Sequence, residues 1–244
     1  MTAPHRRDQI LAELGLTPLW RLRPGTSNHN SALPKVNSLA QSTDAANPTN
    51  LTEQEFIDLD ADWNTLQSTV SRCTACQLHE TRTQTVFGVG DRKADWLFIG
   101  EGPGATEDAR GEPFVGQAGK LLDQMLAAIQ LDRGHQVYIT NIVKCRPPNN
   151  RNPSLNEARQ CAPYLTRQIK LIQPKLIVVL GKVAAQNLLN SDESISSLRG
   201  KVHSHLGIPL IVTYHPAYLL RSLPDKAKAW KDLCFALNTM QSLS

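Results

Sequence analysis

Four short, almost unbroken apolar runs recur along this chain, at 95–99, 137–143, 175–180 and 209–214, and they constrain its fold more than any other feature. Each is too short for a helix and lacks polar alternation. Strands of a parallel sheet read this way when both faces are covered. Helical stretches follow them, near 118–130, 154–170, 182–190 and 225–241. Ser154-Leu155-Asn156-Glu157 opens one as a capping box, in which the hydroxyl and the carboxylate satisfy free backbone N–H groups. The alternation predicts a three-layer α/β/α sandwich around a central, mostly parallel four-stranded sheet.

Such a topology marks where chemistry belongs, because ligands of open α/β sheets bind beyond the carboxyl ends of the strands. At those ends stand Gly100-Glu101-Gly102-Pro103-Gly104, Asn141, Gly181 and His215-Pro216. The glycine turn fits G-x-G-x-x-A, and Asp123 follows about 20 residues on, as in a dinucleotide fingerprint. Pro103, however, removes one N–H that a pyrophosphate would use, and Glu107 with Asp108 would repel it. No G-K-[ST] follows, which excludes a nucleotide-triphosphate loop. Phe114, between Pro113 and Gly116, makes the turn a pocket for a neutral flat ligand instead. A carboxylate, an amide and an imidazole on one rim read as a site.

The 244 residues, 41% hydrophobic and 20% charged, suffice for a full core. A net charge of +4 permits a polyanionic partner. No apolar run approaches the ~20 residues of a membrane span, and the first 25 residues lack a signal-peptide core, so a soluble, cytoplasmic protein is expected. Five cysteines in that compartment point to metal or redox chemistry rather than disulfides. Cys73-Thr74-Ala75-Cys76 aims two thiolates at one point, with Cys145 and Cys161 following at wider spacing than a zinc ribbon uses. Zinc stays open, whereas a 4Fe–4S cluster tolerates such distant ligands. Cys234, beside Leu233 and Phe235, reads as a small buried hydrophobe.

Residues 1–22 read as an amphipathic helix with Ile10, Leu11, Leu14 and Leu16 on one face, either a tether or a docking helix for a protein partner. Residues 23–52, rich in Pro, Ser, Asn and Thr, read as a flexible linker. A second capping box, Thr52-Glu53-Gln54-Glu55, starts a helix running toward Cys73, so the functional domain is placed at 53–244. No oligomer seam is evident, and a monomer is expected.

With these residues together, the chain resembles the family 4 uracil-DNA glycosylases, the iron–sulfur type. The likeness runs from about Cys73 to about Arg221. It is carried by Cys73-x-x-Cys76, by Gly100-Glu101-Gly102-Pro103-Gly104 with Pro113-Phe114-Val115-Gly116, by Asn141-Ile142-Val143-Lys144-Cys145-Arg146-Pro147-Pro148, by Cys161 and by Tyr214-His215-Pro216. It implies hydrolysis of the N-glycosidic bond of deoxyuridine, in single- or double-stranded DNA, on a nucleotide flipped into a pocket. Phe114 would stack on the base, Asn141 would read its edge, Glu107 would crowd C5 against thymine, and Gly104 would line the same pocket. His215 would donate to uracil O2 with help from the Gly102 N–H, and Glu101 would orient water or face the cationic sugar. Asp108 is expected to cap a helix. Lys144, Arg146 and Arg151 would contact phosphates or hold the cluster loop near them, and Arg199 and Lys201 of a second basic stretch would enter the DNA interface. A sibling group stays covalently attached to DNA through a His in an inserted loop; the segment 146–153 has none here, which implies turnover. A 4Fe–4S cluster held by Cys73, Cys76, Cys145 and Cys161 would be a structural staple. The competing reading is a cluster-bearing DNA-binding module without turnover.

Overall fold

The computed structural model describes residues 60–243. The expected helix at 1–22, the linker at 23–52 and the capping box at Thr52 lie outside the described residues. In chain order the helices are α1 (Trp63–Arg72), α2 (Leu78–Thr81), α3 (Ala105–Arg110), α4 (Gln117–Ala128), α5 (Leu155–Ile172), α6 (Lys182–Leu189), α7 (Ile195–Leu198), α8 (Pro216–Leu219) and α9 (Lys226–Ser242). The strands are β1 (Val89–Gly90), β2 (Trp96–Gly100), β3 (Val137–Asn141), β4 (Leu176–Leu180), β5 (His203–His205) and β6 (Ile208–Thr213). The helix that reaches Cys73 starts afresh at Trp63, because the Asp62 carboxylate accepts the Thr65 N–H at 2.7 Å and caps it. It is not one run from Thr52.

The sheet has six strands in the order β1-β3-β2-β4-β6-β5. The four apolar runs are the four parallel strands, and Trp96 sits opposite both Val137 and Leu176. The two additional strands pair antiparallel at the edges. Neither carries the signal that marked the others. β1 is two residues long, and His203-Ser204-His205 has no apolar pattern. It exists because Leu206 and Gly207, with φ of 54° and 80°, turn the chain back onto β6.

Side chains alternate across the sheet and explain the missing polar alternation. Leu97, Ile99, Ile177, Val179 and Val212 face Leu66 and Val70 of α1 and Leu165 and Ile169 of α5. Trp96, Phe98, Val178, Leu180 and Ile211 face Leu122 and Leu126 of α4 and Ala236 and Met240 of α9. Burying each such side chain contributes about 1.5–3 kcal/mol, and a polar residue without a hydrogen-bond partner would cost stability on either face; Thr140 and Thr213, buried on these strands, each have one. Three layers are the result. Cys234, on α9, is only partly buried.

Candidate active site

The carboxyl ends of the strands open into a cleft of about 640 Å³, lined by Glu101, Gly102, Gly104, Glu107, Phe114 and His215. Asn141 ends β3 directly beside Gly100, which ends β2. A Cβ on Gly100 would lie 2.5 Å from both Asn141 Oδ1 and Phe114 Cζ, so only glycine lets the amide and the aromatic ring meet over the strand end. Asn141 is 1% exposed, and its Oδ1 is buried with no hydrogen-bond partner. Such an orphan acceptor costs about 1–3 kcal/mol until a donor arrives.

His215 caps α8, and its Nδ1 accepts the Ala217 N–H at 3.1 Å. In the neutral ring the proton therefore sits on Nε2. Burial, with Arg221 nearby, pushes the imidazole down to about 4, so it is a neutral donor across the physiological range. Gly181, at φ +95°, admits it: a Cβ there would come within 2.8 Å of His215 Cβ. The His215 and Phe114 rings lie 5.5 Å apart, tilted by 31°. Burial pushes the Glu101 carboxyl up to about 6. Glu107 accepts the Val115 and Gly116 N–H groups, both at 2.9 Å, and so holds the loop that carries Phe114. Its second oxygen lies 2.7 Å from where a Gly104 Cβ would stand, while a Cβ on Gly102 would lie 2.8 Å from Val143 Cγ2. Close approach of Val143 requires glycine at 102, whereas a side chain at 104 would displace the Glu107 carboxylate.

A second, smaller pocket, partly open to solvent, is lined by Cys73, Cys76, Cys145 and Cys161 with Val70, Leu78 and Tyr164. Arg82 Nη1 points at Cys145 Sγ at 3.0 Å, and the Lys144 N–H points at Cys161 Sγ at 3.3 Å. Burial pushes the Cys76 and Cys145 thiols up and the Cys161 thiol up to about 12. Donors aimed at sulfurs in an apolar wall suit thiolates whose charge a metal group offsets. Among the described residues no three His, Cys, Asp or Glu side chains converge on one ion. Zinc draws its ligands in to about 2.3 Å from a single centre. A cluster that takes each thiolate on a different iron fits four cysteines spread around one chamber.

The model of the uracil DNA glycosylase superfamily matches residues 87–234. The chain belongs to that superfamily. Its relatives place it in the type-4 branch. The type-4 uracil-DNA glycosylase of Archaeoglobus fulgidus is 48% identical over 159 residues, 62% of this chain and 79% of the relative. That of Thermotoga maritima is 45% identical over 65% of this chain and 83% of its own length. That of Pyrobaculum aerophilum is 39% identical over 70% and 91%.

Within this superfamily member, the expected phosphate contacts divide sharply. Lys144 is 1% exposed; its Nζ donates to the Asn141 carbonyl at 2.9 Å and to Thr140 Oγ1 at 2.5 Å. The phosphate contact is corrected by this burial, and the alternative remains, in which Lys144 holds the loop that carries Cys145. Arg199 is corrected too. It grips Asp232 at 2.6 and 2.8 Å, lies 4.4 Å over the Tyr214 ring, and its side chain is 13% exposed. Arg151 is paired with Glu157 at 2.6 and 2.8 Å but stays exposed on the cleft wall. Arg146 donates to Asn150 at 2.8 Å, and Lys201 is exposed just before β5.

Asp108 does not cap its own helix; buried, it accepts the Thr83 N–H at 2.9 and 3.0 Å. Asp123, the acid a dinucleotide site would need, is paired with Arg133. Two cleft cations escaped the sequence reading: Lys182, which follows the Gly181 turn, and Arg221, which closes the stretch after His215-Pro216. Their positions after strand ends were the available signal.

Proposed function

We propose that this enzyme excises uracil from DNA, hydrolysing the N-glycosidic bond of deoxyuridine and leaving an abasic site for base-excision repair. The observation that carries this reading is the orphan Oδ1 of Asn141, buried at the end of β3 next to Gly100 and the Phe114 ring that lines the cleft. A base inside a duplex cannot enter such a cleft, so the nucleotide is everted first. Phe114 then stacks on the ring. Asn141 Oδ1 accepts from N3–H, and its amide NH₂ donates to O4. Cytosine sets an acceptor against Oδ1 and a donor against the NH₂. Each mismatch leaves a buried polar atom unpaired at about 1–3 kcal/mol. Glu107, fixed beside the Phe114 loop, crowds C5 and so opposes the thymine methyl.

As the bond breaks, the sugar gains positive charge and uracil leaves as an anion. His215 Nε2–H meets the charge that develops on O2, an effect of about 3–4 kcal/mol for one well-aimed donor. The Gly102 N–H assists. Glu101, ionised above about 6, orients the attacking water or faces the cationic sugar. Cys73, Cys76, Cys145 and Cys161 would hold the 4Fe–4S cluster, whose contribution when bound is a covalent cross-link between the α1–α2 segment, the end of β3 and α5. Arg146, Arg151 and Lys201 face DNA phosphates. With no His at 146–153 to trap the sugar, the enzyme turns over. It works as a cytoplasmic monomer.

A uracil-containing oligonucleotide, treated with enzyme and then alkali, tests the proposal. Scission is expected at U opposite G and at U in single strands, with none at T or C. Retention of DNA without scission by the intact, coloured protein would instead establish a binding module.

A further inference from the structure

We infer that Arg133, which lies outside the cleft, is the positioning residue that sets Phe114 in its stacking attitude. The inference rests on the reading of Phe114 as the base-stacking ring. Phe114 has φ +54°, in the left-handed region that bulky side chains rarely adopt, so its conformation must be imposed from outside. Arg133 imposes it. Nη1 donates to the Pro113 carbonyl at 2.9 Å, and Nη2 donates to the Phe114 carbonyl and reaches the Gly119 carbonyl at 3.4 Å. Nε is anchored by Asp123 Oδ1 at 2.5 Å. One planar guanidinium therefore gathers the carbonyls on either side of the inverted residue, which a lysine ammonium cannot do.

Two further contacts close the device. A Cβ on Gly119 would stand 1.7 Å from the Phe114 carbonyl oxygen and 2.9 Å from its Cα, so glycine is what leaves room for the inverted peptide. Glu107 binds the next two N–H groups of the same loop from the cleft side. The loop is thus held by a cation on its carbonyls and an anion on its amides. Its ring is left lying against Gly100, Asn141 and His215. Arg133 acts through Phe114 and has no contact with the reacting atoms.

The test compares Arg133→Gln, Arg133→Lys and Asp123→Asn with Phe114→Ala, alone and combined, by melting temperature, by the substrate dependence of excision and by inhibition with free uracil. Free uracil reports on the pocket without the DNA backbone. Arg133→Gln is expected to weaken uracil inhibition and kcat/KM on the order of 30-fold, as loss of charge-assisted bonds implies. Arg133→Lys should restore less than about half of that loss on a logarithmic scale, since it gives one point of attachment. Asp123→Asn, on a partly exposed side chain, should act in the same direction by roughly threefold.

In the Phe114→Ala background each Arg133 or Asp123 variant should add less than about twofold, because its target is gone. Equal losses with and without the ring would overturn the role given to Arg133. So would uracil inhibition unchanged in both Arg133→Gln and Asp123→Asn. Should Arg133→Gln fail to fold, the Asp123→Asn cycle decides by the same criterion. A Phe114→Ala enzyme with unaltered uracil inhibition would overturn the stacking reading itself, and this inference with it.

Discussion

The cleft and the cysteine chamber both take residues from the segment that follows β3, yet they treat their polar atoms in opposite ways. In the chamber the donors are engaged. The Lys144 ammonium is held by Thr140 and the Asn141 carbonyl, its N–H faces Cys161, and Arg82 faces Cys145. At the strand ends, three residues earlier in the chain, Asn141 Oδ1 has no partner, and the cleft-lining His215 takes the Ala217 N–H on Nδ1, which leaves its proton on Nε2. One region is arranged to hold the fold together and the other to receive something. A basic side chain at a strand end therefore says little by itself. Whether it meets DNA depends on which of the two environments its neighbours create.

The largest effect tests the chamber. Cys161→Ser removes a buried thiol of α5 that is proposed to hold the cluster, and structural metal sites contribute on the order of 10 kcal/mol to small folds. Loss of visible absorbance together with loss of the cooperative melt is expected. A colourless wild type, or a Cys161→Ser protein with unchanged colour and melt, would break the contrast between the two regions. Arg199→Ala comes next. It strands Asp232, whose side chain is 4% exposed, and should lower stability by about 3–5 kcal/mol in denaturant titrations. The salt dependence of DNA binding should not change, because Arg199 meets no phosphate; a shallower slope would reverse that assignment.

Two substitutions then sharpen the cleft side. His215→Ala should slow single-turnover excision by about 10²–10³-fold while leaving DNA affinity nearly unaltered, the pattern of an interaction made only as charge develops. Asn141→Asp presents acceptors alone. It should lose uracil excision and reduce the preference for uracil over cytosine by roughly 10- to 100-fold, matching one or two unpaired polar atoms. An unchanged preference would remove Asn141 from base reading.

The parallel core of the fold was legible because doubly covered strands must be apolar throughout, and 95–99, 137–143, 175–180 and 209–214 obey that rule. The edge strands were not. His203-Ser204-His205 owes its conformation to the turn at Leu206-Gly207 and to ladder bonds with β6, and neither leaves a hydrophobic trace. The rim residues Glu101, Asn141 and His215 were legible for a topological reason, since they follow strand ends. Lys144 and Arg199 misled because sequence reports a charge and not its burial. Arg133 was invisible because its target lies 19 residues away and is a backbone carbonyl, which every residue possesses.

Acidity offers the smallest and most discriminating comparison. Burial raises the Glu101 carboxyl to about 6, whereas His215, lowered to about 4, stays neutral above that value. Between pH 5 and 8 only Glu101 changes charge among the two, and excision needs it ionised. The rate should be level above about 6 and should fall about tenfold for each pH unit below it. Glu101→Gln should abolish that acid limb. The same burial has a stability consequence of opposite sense. The folded state holds the Glu101 proton more tightly than the unfolded chain does, so stability is lost as pH rises from the ordinary 4.5 through about 6, and the loss persists above. At pH 7.5 Glu101→Gln should therefore melt later than the wild type, by up to about 2 kcal/mol, while cleaving more slowly. Slower cleavage with no gain in stability would mean that Glu101 is not held in the desolvated setting that raises its carboxyl.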